Sequence, residues 1–214
     1  MILVTGGTGF VGQALIRQLV AIGKPVRTLL RPSSSSPNLP KGIPVEVAVS
    51  SLKDERGLRA AMKGVDVVYH LAGSERRGAR ADLEGVDIEG TRTVARVAAQ
   101  AGVRRFFYLS HLGADRASAF AVLKAKAIAE GHIQQSQVDY TIIRSAVVFG
   151  PGDQFTEPLA RLLKISPSVF IMPGDGTVAL QPIWVEDLAT CLVLCLDNPE
   201  TNRQILTIGG GETF

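Results

Sequence analysis

Three glycines, Gly6, Gly9 and Gly12, stand in "ILVTGGTGFVGQALIRQL", residues 2–19. Their G-x-x-G-x-x-G spacing falls between an apolar run and a helix-period stretch, the context in which such a loop binds a dinucleotide. Each glycine has its own reason: Gly6 permits a tight turn, Gly9 lets the backbone approach a pyrophosphate, and Gly12 lets the helix pack close to the sheet. Free amides at the helix start, together with its dipole, favour an anion there. A second group lies in "SAFAVLKAKAIAEG", residues 118–131. Val122, Lys126 and Glu130 are spaced i, i+4, i+8 and form one helical stripe. Lys124 points about 160° away from Lys126, at about 100° per residue, so a crevice receives only one of the two lysines. His111 is a further candidate, an imidazole able to titrate near neutrality, although a lone histidine after a strand is more often structural.

These residues need a frame. Short apolar runs at Ile2–Val4, Val26–Leu30, Val45–Val49, Val65–Leu71, Phe106–Leu109 and Tyr140–Val148 alternate with predicted helices at about 10–22, 54–63, 82–101, 118–135 and 186–197. Continuous apolar runs imply strands buried on both faces. Their alternation with helices predicts an α/β fold, a doubly wound (Rossmann) parallel sheet in a single domain over 1–214, with 151–214 adding a small substrate-side region. The ligand crevice is expected at the carboxyl ends of the first and fourth strands. "RPSSSSPNLPKG" (31–42) reads as a loop, and 165–183 as a loop with a short hairpin.

Composition excludes several classes. The 214 residues are 46% hydrophobic, enough for one full core. The net charge of +3 comes without a long basic block, which argues against a nucleic-acid partner. "ERRGAR" (75–80) is short and reads as a solvated loop, with Arg76, Arg77 and Arg80 bordering the cleft where an acidic substrate or partner could meet them. Cys191 and Cys195 read as free thiols, and no metal site is expected. No apolar run reaches membrane-spanning length and the chain opens on a strand, so a soluble, cytoplasmic, reducing compartment is expected.

The nucleotide follows from the end of the second strand. An acid there holds the ribose 2′-OH of NAD, whereas an arginine accommodates the 2′-phosphate of NADP. Arg31 stands there, followed by Ser33–Ser36, so NADP(H) is favoured over NAD(H).

"TGGTGFVG", with "DVVYHLAG" (66–73), "GTRTVARVAAQAGVRRFFYLSHLGAD" (90–115), "VDYTIIRSAVVFGPGD" (138–153) and "PIWVEDLA" (182–189), resembles the extended and atypical short-chain dehydrogenase/reductase superfamily. The likeness runs through nearly the whole chain. It is greatest to the branch of NmrA-like regulators, isoflavone-reductase-like enzymes and the NADPH-binding accessory subunit of respiratory complex I. Family chains usually continue beyond a point like "TIGGGETF", so a C-terminal piece shaping the substrate pocket is expected to be missing. The resemblance implies cofactor contacts from Gly6, Thr8, Gly9, Phe10, Val11, Gly12, Arg31, Ser51, Leu52, Leu71, Ala72, Gly73, Ser110, Lys126, Ser145 and Val147. It also implies a Ser–Tyr–Lys catalytic set: tyrosine donates the proton, lysine lowers its pKa and holds the ribose, and serine orients the carbonyl.

Ser110 matches the serine and Lys126 the lysine, which leaves Val122 at the tyrosine position. In the other register, Lys124 leaves Phe120. Neither can donate a proton. Tyr69, Tyr108 and Tyr140 lie in predicted strands. Other departures gather in the same pocket: Asp87 for the usual Asn, Ser145 for Pro, Trp184 for His, and Ser51 before Leu52 in place of an acid. Three explanations follow. Lys126 alone could be the acid or base with a lowered pKa; His111 could relay a proton; or the site binds nucleotide without turnover. The functions implied are a nucleotide-binding sensor, assembly or accessory protein, an NADP-dependent oxidoreductase acting on a small molecule through Lys126, or a sugar-nucleotide-type epimerase or isomerase.

Overall fold

The computed structural model describes residues 1–33, 37–165 and 177–214, apart from the Arg76 side chain. Its centre is a seven-stranded, all-parallel sheet. The strands are β1 (Ile2–Thr5), β2 (Val26–Leu30), β3 (Glu46–Val49), β4 (Val67–His70), β5 (Arg105–His111), β6 (Tyr140–Ser145) and β9 (Gln204–Ile208), in the spatial order β3-β2-β1-β4-β5-β6-β9. The order reverses between β1 and β4, which opens the crevice at their carboxyl ends. β1 and β4 are buried at every position, as strands covered on both faces must be.

Helices cover both faces. One layer packs Leu58 of α2 (Glu55–Ala61), Val94 and Ala98 of α3 (Glu89–Gln100) and Ala129 and Ile133 of α4 (Ala121–Gln135) against Leu3, Phe106, Tyr108 and Ile142. The other packs Leu15, Ile16 and Leu19 of α1 (Phe10–Ala21) and Leu188 and Leu192 of α6 (Val185–Leu194) against Val4, Tyr69, Phe107 and Ile143.

The doubly wound sheet matches expectation, but several boundaries differ. The stretch 82–101 is a π-type turn over Leu83–Ile88 followed by α3. The fourth helix starts at Ala121 rather than 118, because Ser118 Oγ accepts the Phe120 amide and holds a turn just before it. The run Tyr140–Val148 divides. β6 ends at Ser145, and β7 (Val148–Phe149) pairs in parallel with β8 (Ile183–Trp184). β8 thus begins at the end of 165–183; the short hairpin expected in that stretch falls largely on residues 166–176, which lie outside the described residues. Two elements were not expected: β9, and α5 (Thr156–Ile165), whose start is capped by Asp153 accepting the amides of Phe155, Thr156 and Glu157. Among the described residues no helix is long and apolar enough to cross a membrane.

Candidate functional site

The glycine loop joins β1 to α1. Gly6 has φ +77°, and a Cβ on it would come within 2.7 Å of the Leu71–Ala72 backbone at the end of β4. Glycine is therefore required twice, for the left-handed backbone and for the close approach of the two strand ends. Gly12 packs on the turn itself: its added Cβ would collide with the Gly6 carbonyl. Gly7, which spacing did not single out, makes the helix–sheet contact, since a Cβ there would collide with Thr28 Oγ1. Gly9 is extended and caps α1 without a side chain, leaving the helix start open to an anion.

Beyond the loop, β4 ends at His70, and Leu71–Ala72–Gly73 forms the crevice floor. His70 is fully buried between Thr5 Oγ1 (2.7 Å from Nδ1) and Thr91 Oγ1 (2.9 Å from Nε2), tying β1, β4 and α3 together beneath the loop. Burial holds its pKa down at about 3, so it is neutral.

A charged cluster surrounds Gly73. A methyl on Gly73 would lie 3.0 Å from Asp87 Oδ1 and 3.5 Å from both Glu75 Oε2 and Lys126 Nζ. Lys126 is 5% exposed, with Nζ 3.3 Å from Glu75 Oε2 and 3.7 Å from Asp87 Oδ1. His111 Nε2 reaches the same Glu75 oxygen at 3.3 Å. Ser74 fixes this arrangement: its amide and hydroxyl both donate to Asp87 Oδ2, at 3.0 and 2.6 Å, which turns Glu75 inward.

Lys124 is exposed, so α4 sends Lys126 alone to the crevice, with Val122 one turn earlier on the stripe. Phe120 is 73% exposed. The lysine departs from one expectation. Burial alone would depress its pKa, as anticipated for a lone acid or base, but Tyr108, Glu75 and Asp87 outweigh burial and raise it, so the ammonium stays charged. Glu75 is likewise burdened by burial, yet its bonds to His111 and Lys126 hold it near 2.

Ser110 precedes His111 at the end of β5. Its hydroxyl donates to Glu130 Oε1 at 2.5 Å, and Glu130 also takes Arg144 Nε (3.0 Å) and Nη2 (2.6 Å). Ser110 thus belongs to a clamp of β5, α4 and β6, and its hydroxyl is committed there. Tyr108 lies under the lysine, its ring centroid 5.5 Å from Nζ, but it is 1% exposed and burial pushes its pKa up to about 12. Tyr69 is buried and donates to the Leu192 carbonyl, and Tyr140 closes the lower end of β6.

The remaining predicted contacts sit around the crevice rim. Thr8, Arg31 and Gly73 are exposed, and Phe10, Val11, Ser51, Leu71, Ala72 and Val147 are half-buried. Leu52 is buried in the core against Gly90. Ser145 is buried and donates to the Ala146 carbonyl. Ser34–Ser36 lie outside the described residues. "ERRGAR" forms short 3-10 turns kinked at Gly78, with Arg77 and Arg80 exposed and Glu75 turned in. Glu75 is the site residue that sequence reasoning missed, since its only signal was its place two residues after the end of "HLAG".

The Asp87 Oδ1 and Tyr108 hydroxyl atoms are buried without a hydrogen bond. Buried polar atoms ordinarily have partners. These sit beside a charged lysine at the carboxyl end of β4, where the hydroxyls of a nucleotide ribose would satisfy them. Together with the open start of α1, the residues present fit a dinucleotide.

Residues 6–199 match the model of the NAD(P)H-binding family, and the chain belongs to that family. It is 30% identical to the mitochondrial NADH dehydrogenase [ubiquinone] 1 alpha subcomplex subunit 9 of Arabidopsis thaliana, over 99% of this chain and 54% of that protein. It is 31% identical to the ceramide reductase of Caulobacter vibrioides, over 93% and 62%. It therefore spans somewhat more than half the length of these relatives. Among solved structures, gox2253 superposes over the whole chain and 71% of its own, with a TM-score of 0.82 at 28% identity. The Thermus thermophilus UDP-glucose 4-epimerase in complex with NAD gives 0.78 at 23%, over the whole chain and 78% of its own. The fold is that of the short-chain dehydrogenase/reductase superfamily.

Proposed function

We propose that this protein is an NADP(H)-binding member of the short-chain dehydrogenase/reductase superfamily, with a sensor, assembly or accessory role, in which Lys126 is a fixed charge that holds nucleotide. The observation that carries this reading is the lysine's confinement between Glu75 and Asp87, with Val122 where a phenol would stand. An ammonium held charged by two carboxylates is a poor proton donor near neutral pH. The Ser110 hydroxyl is engaged by Glu130 and offers no ready oxyanion contact. NADP(H) rather than NAD(H) is supported by Arg31 at the end of β2 and the absence of an acid there. The relation to a complex I subunit supports a protein partner, and the relation to a ceramide reductase supports small-molecule chemistry; the geometry favours the former.

A second reading rests on the His111–Glu75 contact. A carboxylate orienting an imidazole beside a buried lysine is a usable proton relay for an oxidoreductase. One preparation separates the two. Calorimetric titration should show NADP(H) binding that Lys126→Ala weakens and Lys124→Ala leaves unchanged, with no turnover across a panel of carbonyl substrates. Turnover by the wild type that collapses in His111→Gln would replace the first reading with the second.

A further inference from the structure

Apart from the crevice, a cavity of about 480 Å³ lies between α4, the turn after β5, and the strands β6 and β9. None of Glu75, Asp87, His111 and Lys126 lines it. Arg144 and Glu130 form one wall, and their charges cancel. Arg144 donates from Nε and Nη2 to Glu130, whose Oε1 also accepts the Ser110 hydroxyl. Two further charged groups face the cavity, Asp115 and Arg116. Arg116 is exposed, and among the described residues it has no hydrogen bond or ion pair. It lies along α4, where a Cβ on Gly131 would come within 3.0 Å of its Nη2. A glycine inside a helix is destabilising relative to alanine; here its missing side chain leaves room for the guanidinium. Asp115 accepts the Ala117 amide through Oδ1 and favours the charge on Arg144, yet among the described residues it forms an ion pair with neither arginine. Ala114, Ala127 and Ile205 add an apolar surface.

We propose that this cavity binds a free α-amino acid with an aliphatic side chain. A guanidinium and a carboxylate that share one cavity without pairing match a ligand that carries both charges. Arg116 presents a planar fork of donors to the ligand carboxylate. Asp115 accepts from the ligand ammonium through Oδ2, which the Ala117 amide leaves free. A simple anion would gain Arg116 but be opposed by Asp115, and a simple cation would meet the reverse. Only a zwitterion is favoured by both. Its aliphatic side chain would rest on Ala114, Ala127 and Ile205, removing apolar surface from water. The site needs no nucleotide, so it stands or falls independently of the dinucleotide reading.

The test is calorimetric titration of the nucleotide-free protein with three probes: L-leucine, 4-methylpentanoate, which lacks the ammonium, and 3-methylbutylamine, which lacks the carboxylate. The wild type is compared with Arg116→Met, Asp115→Asn and Arg56→Met, the last an exposed arginine on α2 outside the cavity. Asp115 and Arg116 are exposed, and asparagine keeps an acceptor for the Ala117 amide, so both variants should fold, which circular dichroism checks. The expected result is that leucine binds and that each analogue binds about tenfold or more weakly, one charge-assisted contact having been lost. Arg116→Met and Asp115→Asn should each weaken leucine by a similar factor, and Arg56→Met should match the wild type. No binding of leucine, an analogue bound as tightly as leucine, or leucine binding that neither cavity variant moves would overturn the proposal.

Discussion

Replacing Lys126 by methionine keeps the length of the side chain and removes its charge. In the structure this strands Asp87, 1% exposed, and the buried Oε2 of Glu75; among the described residues only His111 is then left within ion-pair reach, on Glu75. Breaking a buried pair by removing one partner typically costs about 3–5 kcal/mol, because the remaining charge is left uncompensated. Glu75 is one-third exposed and can turn to water, so the lower end of that range is expected. Adding Asp87→Asn removes the stranded charge and should recover at least half of the loss. Urea unfolding followed by circular dichroism measures all three stabilities. The pH dependence is also fixed. Lys126 has a raised pKa, so its contribution is complete below the ordinary value of 10.5 and is lost only as pH climbs past it. Glu75 is depressed to about 2, so its contribution is complete above the ordinary 4.5 and is lost as pH falls towards 2. The difference between wild type and variant should therefore be flat from about pH 8 to 9 and shrink at lower pH, as the stranded carboxylates of the variant take up protons. A loss under about 1 kcal/mol, or a double variant less stable than Lys126→Met, would refute the claim that the lysine is locked by its two acids.

Arg31→Ala should weaken NADP binding by about 1–3 kcal/mol and leave NAD nearly unchanged, as expected for one charge-assisted phosphate contact, and equal losses by calorimetry would remove the 2′-phosphate assignment. His70, held neutral at about 3, contributes stability that is complete above about 6.5 and lost at up to about 1.4 kcal/mol per unit as pH falls below it. Thermal unfolding from pH 7 to 4 should therefore fall less steeply in His70→Gln, and an identical slope would show that the imidazole is not the titrating group. Gly12→Ala should abolish nucleotide binding and lower the melting temperature, because its methyl would strike the Gly6 carbonyl, whereas Gly211→Ala, which faces open space, should do neither.

The central fold was legible because its strands are short, apolar and buried on both faces, and because the glycine loop sits where such a sheet places it. The elements that escaped lack that signature. β9 is an edge strand with Gln204, Ile205 and Thr207 exposed, so it shows neither a continuous apolar run nor clean alternation. α5 has no buried residue, and its start is set by Asp153, whose capping bonds to three successive amides are a matter of loop shape rather than of pattern. The break in Tyr140–Val148 was invisible for a related reason. Apolar pairs lie on both sides of the break, Ile142 and Ile143 before it and Val147 and Val148 after it, and only the pairing of Val148 with Ile183, 35 positions away, carries the second part into another sheet.

The site was legible on α4 and obscure opposite it. Helical spacing alone separates Lys126 from Lys124, and the structure buries one and exposes the other. No periodicity reports Glu75. It follows the end of β4 in a segment whose three arginines dominate the composition, and only the Ser74–Asp87 hydrogen bonds turn it inward. That one carboxylate changes the chemistry of the crevice. With Lys126 and Asp87 alone the floor would be neutral, and a lysine paired once can still release or accept a proton as a substrate approaches. With Glu75 added, the ammonium is held charged from two sides, the floor becomes negative, and His111 is drawn to the same oxygen. Val122 and Glu75 therefore act in the same direction: the first offers the stripe on α4 no proton donor, and the second ties up the lysine one turn further along.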